Sequence, residues 1–259
     1  NIVDRLDEAQ RFGPDPLRLY LTKEVPYGGD GDFTWERFEE KYNADLANNL
    51  GNLVNRVAAM TERFRQGRLA ARGGGSLAGV ASDAARTYAG AMDRLALHEG
   101  TAAAYRLISA ANEFIAETQP WSLAKDPAKA DRLSSVLYDA AEAVRIAAVL
   151  LLPVMPSSAA EILRRMGEAS TPGELRFDTA TAWRASGERG ILNAGALWPR
   201  LEDKGAAVSE MTTPPTPVNA DAPGASVAPA GTPAAAAPPI ALPSEPAAAP
   251  SDAPPVITI

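Results

Sequence analysis

Asn52 and Arg56 carry side chains that together suit the recognition of a planar polar group. They are four residues apart in a segment with helical periodicity, so both lie on one flank of a helix, about one turn from each other. An amide offers a donor and an acceptor side by side, and a guanidinium offers a rigid fork of donors. This pair can satisfy the Watson–Crick edge of a splayed-out base, which is how single-stranded RNA loops are usually bound. The alternative that the pattern leaves open is an ordinary solvated helix flank.

Trp121 is a second candidate for contact with a base. It directly follows Gln119 and Pro120. Because Pro120 lacks a backbone N–H and has a restricted φ, the chain leaves the preceding helix at a defined angle. An indole held at the edge of a helix bundle can stack on an unstacked base, an interaction worth roughly 1–3 kcal/mol. The alternative is a partly buried packing residue at the start of a helix.

Arginines are concentrated in the last turns of the helix that carries Asn52 and just beyond it. Arg63, Arg65 and Arg68 are the candidate phosphate contacts in this group, since neutralising phosphates is the main electrostatic task of a nucleic-acid-binding surface. Arginines near a helix C-terminus also favour the helix dipole and solubility, so the pattern alone leaves both interpretations open. The net charge of −7 argues against indiscriminate binding to RNA or DNA, and any basic patch must be local.

Several other kinds of site are excluded by composition or spacing. The chain has no cysteine and a single histidine, His98, so thiolate and multi-histidine metal sites and disulfides cannot form. No nucleophile–base pattern or phosphate-binding glycine loop is present, and we predict no catalytic residue and no metal site. The longest apolar run, near residues 146–154, is broken by prolines and is too short to span a bilayer, so we predict no membrane partner. The acidic net charge argues against indiscriminate binding to DNA, and we predict no DNA partner.

The elements that must position these residues are helices. Apolar residues recur in steps of four and three along the first long helix, which begins after Thr34 and ends near Arg65: Tyr42, Leu46, Leu50, Leu53, Val57, Met60 and Phe64. Further helices are predicted at about 80–97, with Leu95 facing inward, and at about 101–117, 128–152 and 157–166. Gly100 is predicted to separate the first two of these. No alternating strand pattern of useful length appears, so the fold class is all-α, an antiparallel helix bundle.

Composition divides the chain into four parts. Residues 1–33 contain two short helices and a loop, residues 34–166 form the helical bundle, and residues 167–204 are an irregular segment that packs on it. Residues 205–259 are rich in proline and alanine and contain no lysine or arginine. Such a segment has too little large apolar surface to offset its ordering entropy, so we predict a disordered tail.

Four segments resemble one known family. Segment 42–56, which reads YNADLANNLGNLVNR, closely resembles the first long helix of the anticodon-binding domain of bacterial methionyl-tRNA synthetases. Segments 14–21 and 24–33 look like that family's junction after the catalytic domain, and segment 111–121, ANEFIAETQPW, looks like its Pro-Trp motif. The resemblance covers about residues 1–202. It implies that Asn52, Arg56 and Trp121 bind the anticodon.

The resemblance also carries expectations about the whole protein. It implies a cytoplasmic methionine–tRNA ligase that activates methionine with ATP and Mg²⁺ and attaches it to tRNA(Met). The catalytic signatures of that family are absent from this sequence, so we expect a fragment that binds the tRNA, needs no cofactor itself and has no activity alone. The alternatives are the anticodon-binding domain of another class I synthetase, or a non-catalytic helical interaction module.

Overall fold

The computed structural model describes residues 12–25, 31, 33–70, 75–185 and 187–201. The chain separates into two units, residues 1–205 and residues 206–259, and every described residue belongs to the first. The predicted disordered tail, residues 205–259, therefore lies outside the described residues. So do residues 1–11 of the predicted junction segment.

The described part of the chain is a helical bundle, and the predicted all-α class is confirmed. Its helices are α1 (Pro14–Glu24), α2 (Trp35–Lys41), α3 (Asn52–Arg65), α4 (Ala78–Asp93), α5 (Leu97–Thr118), α6 (Pro120–Leu123), α7 (Ala130–Leu151), α8 (Pro156–Arg165) and α9 (Phe177–Ala180). Single 3₁₀ turns lie at Pro127–Lys129 and Pro172–Glu174. Every residue of α7 from Val136 to Leu151 is buried, because α7 packs against α3, α4, α5 and α8.

A π-helix, Tyr42–Gly51, joins α2 to α3 without a break. Its turns are wider than α-helical turns, so two successive steps of four residues keep Tyr42, Leu46 and Leu50 on the buried side. The step to Leu53 shortens to three where α-helical geometry resumes. A Cβ at Gly51 would stand 2.7 Å from the Leu46 carbonyl oxygen, so this position requires glycine.

The helix boundaries differ from the prediction at the α4–α5 connection. Helix α4 ends at Asp93, and Leu95 adopts a φ of 60° that turns its side chain outward, so Leu95 is 57% exposed. The predicted inward position of Leu95 was wrong. Gly100 lies inside α5 and does not separate two helices. A Cβ there would come within 2.6 Å of the Met92 methyl carbon, so glycine allows α4 and α5 to approach closely.

Two short strands form a sheet that the sequence pattern did not predict. Strand β1 (Arg68–Ala70) pairs in antiparallel register with β2 (Glu188–Gly190), and Leu69 is opposite Arg189. Three residues per strand are too few to produce a recognisable alternation. The sheet ties the segment after α9 to the end of α3.

Two further contacts close the fold around the π-helix. The Asn43 side chain donates to the Leu201 carbonyl and accepts from the Leu201 N–H, at 3.1 and 2.8 Å. Trp198 is buried, with its ring 3.1 Å from the position of a Cβ at Gly51.

Helix α1 docks beyond the C-terminal end of α7, where Arg18 donates to the carbonyls of residues 153 and 154.

Candidate nucleic-acid interface

Asn52 and Arg56 both lie on α3, directly after the π-helix. Asn52 is the first residue of α3 and its side chain is exposed, whereas Arg56 is partly buried one turn further on. Between them, Leu53 and Val54 are fully buried in the core. The apolar side of α3 therefore fixes the helix against the bundle, and this flank is left for polar side chains.

Trp121 is positioned by a sharp change of direction between α5 and α6. Gln119 has left-handed backbone angles, φ 46° and ψ 64°, which are uncommon for a residue with a Cβ. The next residue, Pro120, is buried and begins α6. The turn is held by the Ser122 N–H, which donates to the Gln119 carbonyl at 2.8 Å. Trp121 is left 41% exposed, so much of the indole is accessible at the surface.

Arg56 and Trp121 meet at the surface although they lie far apart in sequence. The guanidinium carbon of Arg56 lies 5.9 Å from the centroid of the Trp121 ring, within the range of a cation–π interaction. Such pairs contribute about 0.5–1 kcal/mol at exposed sites. The contact brings two of the three predicted base-binding residues together. Asn52 lies one helical turn away on the same flank of α3.

A pair of asparagines connects the elements that carry these residues. The Asn112 side-chain amide on α5 donates to Asn49 Oδ1 on the π-helix at 2.8 Å and to the Ile108 carbonyl at 3.3 Å. Asn49 precedes Asn52 by three residues, and α5 leads directly to the turn before Trp121. The bond therefore fixes the distance between the two halves of the site. Both residues lie in the motifs that carry the family resemblance, but their contact was not predicted.

The three predicted phosphate contacts have different surroundings. Arg63 is exposed beside the Phe64 ring, 5.4 Å from its centroid, and Arg68 is exposed on β1. Arg65 donates to Ser134 Oγ at 2.7 Å, to the Phe64 carbonyl at 2.7 Å and to the Ala130 carbonyl. These bonds use three of its five N–H groups, and the two to Ser134 and Ala130 join α3 to the start of α7. Arg65 therefore has a structural role, and contact with phosphate stays a prediction for all three arginines.

A buried ion-pair network, also not predicted from the sequence, holds the segment after α8 against α7. Glu142 and Arg145 are fully buried and joined by two hydrogen bonds of 2.9 and 2.7 Å. Glu142 also accepts from the Arg184 N–H and pairs with the Arg189 guanidinium, which lies over the Tyr138 ring. Burial acts to raise the pKa of Glu142, but the hydrogen bond and charge of Arg145 and the charge of Arg189 together lower it.

The side chains and helices of the described part of the chain also bear on metal binding and on membrane crossing. Within those residues, no cluster of three or more His, Asp or Glu side chains is arranged to hold a metal ion. None of the described helices combines the length and the apolar character that crossing a bilayer requires.

Two family models match adjoining parts of the chain. Residues 1–58 match the model described as "tRNA synthetases class I (M)", and residues 66–186 match the model described as "Anticodon binding domain of methionyl tRNA ligase". Asn52 and Arg56 fall in the first match and Trp121 falls in the second. The contact between Arg56 and Trp121 thus joins the two matched regions.

Curated relatives named methionine–tRNA ligase match most of this chain. The protein from Bacillus subtilis (strain 168) is 39% identical over 209 residues, which cover 78% of this chain and 31% of the relative. The protein from Listeria monocytogenes serotype 4b is 37% identical over 216 residues, with 78% and 31% coverage. The chain spans about a third of the length of these relatives.

Solved structures show the same fold. The apo form of Mycobacterium tuberculosis methionyl-tRNA synthetase superposes with a TM-score of 0.71 at 33% identity, over 78% of this chain and 42% of that one. The same enzyme in complex with methionyl-adenylate gives 0.71 at 34% identity, over 77% and 40%. The sequence resemblance, the family models and the fold agree, and the chain belongs to the methionyl-tRNA synthetase family, over a part that includes its anticodon binding domain.

Proposed function

We propose that this chain is the anticodon-recognition part of a methionine–tRNA ligase and binds the CAU anticodon of tRNA(Met). The observation that carries the proposal is the surface contact of Arg56 with Trp121, with the Asn52 amide one turn away. A stacking ring, a guanidinium fork and an amide are three groups that suit the recognition of a splayed-out base.

Each side chain has a distinct part in this recognition. The exposed part of the Trp121 indole stacks on an anticodon base, and the Arg56 charge strengthens that surface by cation–π attraction. Asn52 and Arg56 form hydrogen bonds with the Watson–Crick edge of a base. Arg63 is seven residues after Arg56 and on the same side of α3, so it is the proposed contact for the adjoining phosphate.

The activity of the whole protein is a second part of the proposal. The relatives' name, methionine–tRNA ligase, supports the joining of methionine to tRNA. We propose that the whole protein activates methionine with ATP and Mg²⁺ and transfers it to tRNA(Met) in the cytoplasm. The signatures that this chemistry needs are absent from these 259 residues. The chain alone should therefore show no methionine-dependent exchange between ATP and pyrophosphate. Exchange above a blank preparation would contradict this assignment.

The match to a methionyl-specific anticodon model favours this function over another class I synthetase, which would prefer a different anticodon. A helical interaction module, the remaining alternative, would not bind tRNA.

The proposal is tested by binding of a CAU stem-loop to four variants. Trp121→Ala should weaken binding by about 1–3 kcal/mol, the worth of a base stack, while Trp121→Phe should retain most of it. Asn52→Ala should cost a similar amount through a lost polar contact. Asn193→Ala removes an exposed amide outside the site and should have no effect. Equal affinities for Trp121→Ala, Asn52→Ala and Asn193→Ala would overturn the proposal.

A further inference from the structure

A cleft of about 590 Å³ lies between the β1–β2 sheet and the start of α7. Its lining residues include three arginines, Arg65, Arg68 and Arg189, one glutamate, Glu188, and Ser134. Positive charge therefore exceeds negative charge along its walls. A concave surface with this excess attracts anions, because the low-dielectric walls concentrate the field of the arginines.

The arginines of this cleft retain donors that the protein does not use. Arg65 bonds only to neutral groups, a hydroxyl and two carbonyls, so its charge is not balanced by a carboxylate within the described residues. Two of its five N–H groups remain available. Arg68 is exposed and has no carboxylate partner among the residues that the structure describes.

Arg189 forms the inner part of the cleft. Its side chain is 7% exposed and pairs with Glu142 through Nη2, yet Glu142 is shared with Arg145. Nη1 of Arg189 has no hydrogen-bond partner in the described part of the chain. A buried N–H group without a partner is costly, so Arg189 keeps unused donor capacity in a residue that lines the cleft.

We propose that this cleft binds a phosphodiester group of the RNA backbone. Arg65 and Arg189 are held in place by their hydrogen bonds and form a fixed basic wall, while the exposed Arg68 closes on the phosphate. Arg65 comes nine positions after Arg56 on α3, about 14 Å along the helix axis, and the two project from different sides of α3. The cleft therefore contacts a part of the RNA outside the anticodon bases, and this inference rests on the proposed function.

Arg68→Gln is the informative variant, because Arg68 is exposed and its replacement leaves the network around Glu142 intact. Arg189 is unsuitable, since removing it would break a buried ion pair and destabilise the fold. Arg106→Gln on α5 is the matched control, an exposed arginine that does not line the cleft. Equal thermal unfolding midpoints for the two variants exclude a folding effect.

The experiment measures binding of a CAU stem-loop and a mismatched stem-loop at several salt concentrations. Arg68→Gln should weaken binding of both stem-loops by the same factor, about threefold. The slope of log affinity against log salt concentration should become shallower by about 0.7–0.9, the value for one phosphate contact. Arg106→Gln should bind like the wild type. The phosphate is then located by replacing single linkages with methylphosphonate. One linkage should weaken binding of the wild type, and it should weaken binding of Arg68→Gln by a smaller factor, because only Arg65 and Arg189 are then left to contact that phosphate.

The outcomes separate this inference from the proposed function. If the wild type prefers CAU but Arg68→Gln equals Arg106→Gln in affinity and slope, the cleft is not a phosphate site and anticodon recognition stands. If Arg68→Gln weakens both stem-loops but the wild type has no preference for CAU, the cleft stands and anticodon recognition is wrong. Failure of the wild type to bind either stem-loop overturns both.

Discussion

Replacing Glu142 with glutamine should strongly destabilise the bundle while leaving its shape almost unchanged. The Glu142 carboxylate accepts hydrogen bonds from the Arg145 side chain, the Arg184 N–H and the Arg189 guanidinium, all within the buried network. Glutamine fills the same space but removes the negative charge and presents an amide N–H₂ group to an arginine. The change therefore leaves two buried guanidinium groups without their shared carboxylate.

The magnitude follows from the burial of the pair. Both Glu142 and Arg145 are fully buried, and breaking a buried pair by removing one partner costs about 3–5 kcal/mol. Domains of this kind have a total stability of about 5–15 kcal/mol, so the variant should still fold. Each kcal/mol shifts the unfolding midpoint by about 2–4 °C in a body of this size. The expected drop is about 6–20 °C.

The loss of stability caused by Glu142→Gln should also depend on pH. The folded state lowers the pKa of Glu142 below its ordinary value of 4.5, so its stabilisation is fully present above the unfolded pKa. That stabilisation is lost as pH falls through the folded pKa. The difference in stability between the wild type and Glu142→Gln should therefore be constant near neutral pH and narrow below about pH 4.5.

Urea unfolding at several pH values measures this difference directly. Glu40→Gln is the matched control, because Glu40 is an exposed carboxylate on α2, and it should change stability by less than about 0.5 kcal/mol. A loss below about 1 kcal/mol for Glu142→Gln, or a difference that does not narrow in acid, would refute the argument from the buried network.

Two further predictions concern stability. Gly51→Ala places a methyl group 2.7 Å from the Leu46 carbonyl oxygen and 3.1 Å from Trp198, so it should destabilise the fold by about 1–3 kcal/mol. Gly79 is a helical position with no atom near the new Cβ, so Gly79→Ala should instead stabilise the fold by up to about 1 kcal/mol. Thermal unfolding of both variants checks this, and equal midpoints would contradict it. Deleting residues 206–259 should leave the midpoint within a few degrees of the full chain, since their composition forms no core, and a larger drop would show that they pack on the bundle.

The sequence was sufficient to predict the main helices, whereas the role of the candidate site residues stays a prediction. The steps of four and three correctly placed Leu46, Leu50, Leu53 and Val57 in the core, because a bundle must bury one side of each helix. Pro120 predicted a change of direction before Trp121, which the left-handed Gln119 provides. These features are local, so the spacing of residues reveals them.

Contacts between distant segments could not be predicted in this way. The meeting of Arg56 with Trp121, the bond between Asn49 and Asn112, and the pairing of β1 with β2 depend on how the helices pack. Arg65 illustrates the limit: an arginine in the last turn of a helix suggests a solvated charge, yet its hydrogen bonds to α7 exist only because α7 begins beside it. The π-helix left no signal beyond two consecutive steps of four.

The most direct test of anticodon recognition is the ratio of dissociation constants for a CAU stem-loop and one with a changed first anticodon base, measured at one salt concentration. We expect the wild type to favour CAU by about 1–3 kcal/mol, the worth of one lost polar contact to a base, and Asn52→Ala to bring the ratio toward one. A ratio near one in the wild type, unchanged by Asn52→Ala and by Trp121→Ala, would contradict anticodon recognition by this site.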